Sequence, residues 1–436
     1  MGLKAAYNRE IINPPKGIEL GGYGFYRNRK NKGVHDDLWV RALLLESDDQ
    51  TVLVYNADLL EVSEHIVREV RRRASKELGL RENNIIFTVT HTHSAPPTTR
   101  FRGLGEVDES YVNLLIDKFS KVIENITEKA VEVKPFFSQV KAEGIAFNRV
   151  VKGGPVDPMV RVVQLKKLSG GPFITLFNYS CHPVTIDVRT DAGFYVSADW
   201  PGVTMRLIEK RVGGVSTFLQ GTCGDIDPVI AWSMKGFDAS EEVGTKVAEA
   251  VVIATSKSEE VRGSELKVIS DMISLPLQQM THEDLIKIIA LHLKRVEAIK
   301  SDITMDMSNI LALIRFYRES MEELCEKISK GLPKSVDRDV HLIKIGDVAM
   351  LFIPGEVFVE IGLEVRNLSK LEKLLIAGYT GAYAGYIPTP EEFDRYGYAA
   401  YMVPLMLGWP PYEKDVAKVL VKKCMHLLSQ VSSRIH

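Results

Sequence analysis

Two histidines stand two residues apart where an apolar run breaks off, in Ile85-Ile86-Phe87-Thr88-Val89-Thr90-His91-Thr92-His93-Ser94. Side chains alternate faces along a strand, so an extended chain through this segment would point His91 and His93 to the same side. Two imidazoles at the mouth of a sheet suit a divalent metal such as zinc, but ordinary strand-end histidines have the same pattern. Other apolar runs break in a similar way. They enter Tyr179-Ser180-Cys181-His182-Pro183, Gly221-Thr222-Cys223-Gly224-Asp225 with Asp227 just beyond, Pro354-Gly355-Glu356, and the tyrosines between Gly378 and Tyr386, while Asp58 closes the run from Thr51. Each has a plain structural alternative: His182 as a turn histidine before proline, Asp225 and Asp227 as Asx-turn residues, Glu356 as a helix cap. Taken together, two or three histidines and a carboxylate make an open zinc site with room for water. Cys223 offers a competing chemistry, a low-pKa nucleophile with His182 as base, or else a small buried residue at a tight turn. Gly21-Gly22-Tyr23-Gly24 looks like a phosphate loop but lacks the flanking strand and helix that such a loop needs.

These residues can meet only if the fold delivers several strand ends to one place. Thr51–Asp58 reads as a buried strand, 61–78 as a helix and the run from Ile85 to His91 and His93 as a second strand, a βαβ unit with a parallel pair. A helix capped by Asp108 is expected to run to about Val131. Strands are expected at 172–178, 215–220, 348–353 and 374–377, and helices at 239–255 and 413–431. The reading is an α/β fold: a single large domain over 1–436, with a mixed, partly parallel β-sheet flanked by helices. In such sheets, ligands gather beyond the carboxyl ends of the strands. Residues 281–330 carry helical periodicity, a Thr281 cap and a break near Ser301–Thr304, and read as a helical hairpin inserted in the domain. That hairpin could serve as a lid, a homo-oligomer contact or a solvated side insertion.

With 436 residues, 45% apolar and 26% charged, the chain has the composition of a soluble globular protein. A net charge of −2 gives no reason to expect nucleic acid as a partner, and the basic run Arg71-Arg72-Arg73 falls on a helix face. No apolar run is long enough to span a bilayer, and the N-terminus lacks a signal core. Cys181, Cys223, Cys325 and Cys424 are far apart without a C-x-x-C pair, which points to reduced thiols and a cytoplasmic setting.

The order of motifs resembles the catalytic domain of neutral (non-lysosomal) ceramidases. It begins with His91-Thr92-His93-Ser94 and Pro96, Asn178 to Pro183, Ser197-Ala198-Asp199 and Gly224-Asp225-Ile226-Asp227-Pro228. It continues with Pro354-Gly355-Glu356 and Tyr383-Ala384-Gly385-Tyr386-Ile387-Pro388-Thr389-Pro390-Glu391-Glu392. The match runs from about Ile12 to Tyr398 and leaves out 281–330. The resemblance implies a zinc ion held by His91, His182, Glu356 and Tyr386. It implies catalytic roles for His93, Arg149 and Tyr398, with Asp58, Asp199, Asp225 and Asp227 as candidates to orient the histidines. The implied reaction is cleavage of a linear N-acyl amide by metal-activated water. The alternatives are a metal-dependent phosphoesterase on the same residues or a Cys223-dependent hydrolase. Three departures stand out: Asp227 replaces the family's proposed serine nucleophile, a secretion signal is not expected, and the family's C-terminal immunoglobulin-like domain is expected to be absent.

Overall fold

The structure, a computed structural model, describes residues 2–23, 28–47, 50–231, 233–299 and 307–431. Its main strands are β1 (Lys4–Ile11), β2 (Trp39–Ser47), β3 (Gln50–Ala57), β4 (Ile85–Val89), β5 (Val131–Lys141), β6 (Met159–Lys167), β7 (Pro172–Tyr179) and β8 (Val215–Gln220). They form a nine-stranded sheet in the order β8-β7-β6-β5-β1-β2-β3-β4, with Glu259–Glu260 adding a short strand beside β5. The centre is antiparallel, and each end is a parallel pair, β3 with β4 and β7 with β8. A second sheet, β9 (Leu266–Pro276), β10 (Ser335–Ile345), β11 (Val348–Phe352) and β12 (Leu374–Ala377), is antiparallel until its last pair, β11 with β12.

Every parallel pair needs a crossover helix. These are α1 (Glu64–Leu78) between β3 and β4, α3 (Asp199–Arg211) between β7 and β8, and α7 (Val359–Ser369) between β11 and β12. Strands covered on both faces read as unbroken apolar runs, and all five residues of β4 are buried. Ser63 caps α1 by accepting from the Ile66 N–H, and Gly79 at φ 66° ends it. The helix α2 (Glu109–Lys121) starts at the expected Asp108 cap but stops well before Val131. Asn125 in the left-handed region (φ 54°) turns the chain out of helical geometry, and β5 begins at the β-branched Val131.

The two sheets pack face to face. Along β11, Val348, Met350 and Phe352 pack inward with Leu43, Leu45, Val54, Leu176 and Leu219 of the large sheet, while Ala349 and Leu351 face outward. Helices α1 and α2 cover one half of the large sheet's other face, and α3 and α4 (Asp238–Ser256) cover the rest. The outer face of the small sheet lies under α7, the C-terminal α8 (Val416–Ser429) and a pair of helices, α5 (His282–Ile299) and α6 (Met307–Lys330). That pair lies in the insertion read from the sequence; the break expected at Ser301–Thr304 falls outside the described residues. Its inner side buries Leu285, Ile289, Phe316 and Leu324, and Lys327 donates to the Gly408 carbonyl at 2.7 Å. Ile286, Leu293, Leu311 and Ile314 point to solvent. No helix among the described residues is long and apolar enough to cross a membrane.

Buried amide side chains tie the strand ends together. Asn178 donates to the carbonyls of Leu219 (2.8 Å) and Ile376 (3.0 Å), linking β7 to β8 and to the second sheet. Gln220 donates to the Cys181 carbonyl at 3.0 Å and to Thr90 at 3.3 Å, and Asn56 donates to Phe218 at 2.8 Å. Unpaired buried carbonyls are costly. Replacing Asn178 with alanine is therefore expected to lower the unfolding free energy by roughly 2–4 kcal/mol. An unchanged midpoint in urea would show that these bonds contribute nothing net.

Candidate metal centre

The site lies beyond the carboxyl ends of the parallel pairs in the two main sheets. The ladder of β4 stops at Val89, so His91 and His93 are not strand residues, contrary to the alternation expected from the sequence. The chain turns there instead. His91 adopts φ 66°, its N–H donates to the Leu59 carbonyl at 2.9 Å, and its Nδ1 meets the Leu60 carbonyl at 2.6 Å. His182, past the end of β7, is fixed in a similar way, with Nδ1 3.2 Å from the Ile226 carbonyl. A carbonyl facing Nδ1 places the proton there and leaves the Nε2 lone pair for a metal. Trp200, on α3, holds the loop by donating from its indole to the His182 carbonyl at 3.0 Å.

Glu356 follows β11 through Gly355, whose φ of 78° favours glycine. Glu356 and Val357 pair in parallel with Tyr386 and Ile387, which sets Glu356 directly beside Tyr386. The Oε2 of Glu356 lies 3.3 Å from the Nε2 of His91 and 3.2 Å from that of His182, and the Nε2 atoms of His91 and His93 are 3.2 Å apart. A tetrahedral ion with bonds of about 2.0–2.1 Å separates its donors by about 3.3–3.4 Å. The spacing and the chemistry of these donors fit zinc. Among the described residues, His91, His93 and His182 form the one three-residue cluster of potential metal ligands.

Electrostatics agree with that grouping. Burial works to raise the Glu356 pKa, but His91 and His182 outweigh it and hold the carboxyl well below its ordinary value. Burial, then Arg149, lowers His182; burial, then His91 and His182, lowers His93 well below the usual imidazole value. Neutral imidazoles are the form a metal requires.

Arg149 stands beside Tyr386, and its partners are all protein groups. It donates to the Tyr386 hydroxyl oxygen (2.8 Å), the Gly224 carbonyl (2.8 Å) and Asp227 (3.2 Å). Tyr398 sits on the open side, its ring 6.0 Å from that of Tyr386 and the residue 42% exposed. The four aspartates divide. Asp227 lies 3.8 Å from the Nδ1 of His182. Asp225 binds the Asn148 amide and the Val359 N–H, bracing the backbone beside Arg149 and Glu356. Asp199, at φ 55°, accepts from the N–H groups of Thr185 and Trp200 and from the Thr185 hydroxyl, so it shapes the His182 loop and not the ring. Asp58 pairs with Arg41 and the Trp39 N–H, away from the histidines.

Cys223 is fully buried, with its sulfur 3.2 Å from the Tyr379 hydroxyl, and burial pushes its thiol well above the ordinary value. That is the reverse of what an attacking thiolate needs, so the cysteine alternative fails on environment.

Sequence reasoning missed several participants. Tyr383 donates to the Oε1 of Glu356 at 2.5 Å, and Tyr379 lays its ring 4.3 Å from that of His91. The Gly21-Gly22 pair serves packing: a Cβ on Gly22 would come within 2.7 Å of the His93 ring, and buried Arg29 ties the Gly21 and His93 carbonyls together. The i, i+3 spacing of Tyr383 and Tyr386 was the available signal for the first of these.

No family model matches the chain. Neutral ceramidase of Pseudomonas aeruginosa is 22% identical over 87% of this chain and 66% of its own length. Neutral ceramidase of Mycobacterium tuberculosis is 20% identical over 85% of this chain and 69% of its own length. The chain thus spans about two thirds of these relatives. The crystal structure of the Pseudomonas aeruginosa neutral ceramidase superposes over 100% of this chain and 76% of that one, with a TM-score of 0.73 and 17% identity. A ceramidase complexed with C2 gives a TM-score of 0.75 at 16% identity over 99% of this chain and 76% of its own.

Asp199 yields a pH prediction. Burial, opposed by its hydrogen bonds and helped by Asp36, raises its pKa from 3.8 to about 6. A raised folded-state value means stability that is full below about pH 4 and is lost as pH climbs through 6. Wild type should lose roughly 3 kcal/mol through this group over that range. The Asp199→Asn variant should lack that decline, and parallel stability profiles from pH 4 to 7 would contradict it.

Proposed function

We propose that this chain, which belongs to the neutral ceramidase family, is a zinc-dependent hydrolase of linear N-acyl amides. The observation that carries the reading is the convergence of the His91 and His182 Nε2 atoms on one oxygen of Glu356 at 3.2–3.3 Å. His91, His182 and Glu356 would hold the ion, with Tyr386 as the fourth protein ligand. Bound there, zinc supplies Lewis acidity and brings the ionisation of water towards neutral pH.

The chain's own groups account for the rest. Leu60 and Ile226 carbonyls keep both histidine ligands in the Nδ1–H form. Burial holds the Tyr386 phenol well above its ordinary value, and Arg149, which donates to the Tyr386 oxygen, works in the opposite direction. His93, held by Gly22, Tyr23 and Arg29, is placed to donate to the carbonyl oxygen as it gains negative charge, and Tyr398 is placed to do so from the open side. Proton delivery to the departing amine falls to the same pair. A phosphate ester would call for an uncommitted cation beside the metal, and Arg149 is already paired with Asp227.

Purified protein should carry stoichiometric zinc and hydrolyse N-acyl amides in preference to phosphate esters. His91→Ala should lose both metal and activity; His93→Ala should keep zinc and lose about 100–1000-fold in kcat. Zinc-free active enzyme would overturn the proposal, and loss of zinc in His93→Ala would make that residue a ligand.

A further inference from the structure

We infer that Tyr383 is a positioning residue that commits Glu356 to the metal through a single oxygen. The inference rests on the metal reading above and concerns how the ligand is held. The Tyr383 hydroxyl donates to Oε1 of Glu356 at 2.5 Å, while Oε2 stands 3.3 and 3.2 Å from the two histidine Nε2 atoms. A carboxylate with one oxygen taken by a buried donor cannot rotate to exchange its oxygens, nor present both to an ion.

Tyr383 is itself fixed from several sides. Its N–H donates to the Val62 carbonyl at 3.1 Å, and its own carbonyl accepts from Arg338 Nε (3.0 Å) and Nη2 (2.8 Å). Its ring packs edge-on against Phe101 with centroids 5.0 Å apart.

The neighbouring Tyr386 has the opposite assignment. Gly385, at φ 69°, turns the chain between the two tyrosines, and Tyr386 accepts from Arg149. One loop thus presents one phenol as a donor to Glu356 and another as an acceptor from Arg149.

The test compares zinc affinity, by competition with a chromophoric chelator, for wild type, Tyr383→Phe, Glu356→Ala and the double variant, alongside thermal unfolding of each metal-free protein. Tyr383→Phe should weaken zinc binding about 10–100-fold. In the Glu356→Ala background the same change should cost nothing further, because the oxygen it holds is gone. Wild-type affinity in Tyr383→Phe, or an equal loss in both backgrounds, would overturn the inference while leaving the metal reading intact. Absence of zinc binding by wild type would overturn both.

Discussion

A carboxylate removed from water stays charged only if polar partners replace the solvent, and Glu356, 3% exposed, is such a carboxylate. Its two oxygens meet a phenol and two imidazoles, and no two neighbouring segments of the chain could supply all of these. His91 follows β4, His182 follows β7, and Glu356 and Tyr383 follow β11 and β12. The buried charge therefore requires three separate βαβ units to end at one point. Removing any one unit would leave Glu356 short of compensation.

That requirement explains features that look independent. The large sheet is antiparallel in the middle and parallel at both ends, because only a parallel pair delivers two carboxyl ends to the same side. The strand ends cannot all share one ladder, so the amides of Asn56, Asn178 and Gln220 take over where backbone pairing stops. Non-glycine residues are held at positive φ at His91, Asp199 and Tyr379. Such conformations cost of order 1–3 kcal/mol each and persist where surrounding contacts over-determine them. His91 has two backbone carbonyls, Asp199 has Thr185 and Trp200, and Tyr379 has the Gly355 carbonyl and Cys223.

Apolar runs made the buried strands legible in the sequence: the limits of β8 and β12 come straight from them. Where a run ends in polar residues, the chain also showed which segments reach the site. Local pattern could not show how the backbone turns there. Alternation placed His91 and His93 on one face of a strand, whereas a left-handed turn makes their rings converge. Carboxylate partners were equally out of reach. Asp58 resembles a ligand-orienting residue until Arg41, seventeen positions earlier, is seen to occupy it. Tyr383 lay within a recognised motif, but its role depends on Glu356, 27 residues away, and on the short parallel pairing that fixes their register.

Asp227 shows how one side chain bears on the charge balance of the site. Its carboxylate pairs with Arg149 while lying 3.8 Å from the His182 ring. With neutral histidines, a divalent ion and Arg149 would bring three positive charges, and Glu356 and Asp227 supply two negative ones. An ionised Tyr386 would make up the difference. Serine at 227 would leave Arg149 free to attract an anion from outside, whereas aspartate commits it to the protein. On the proposed reading, a site so composed would favour an uncharged reacting group such as an amide over a phosphate that carries its own charge.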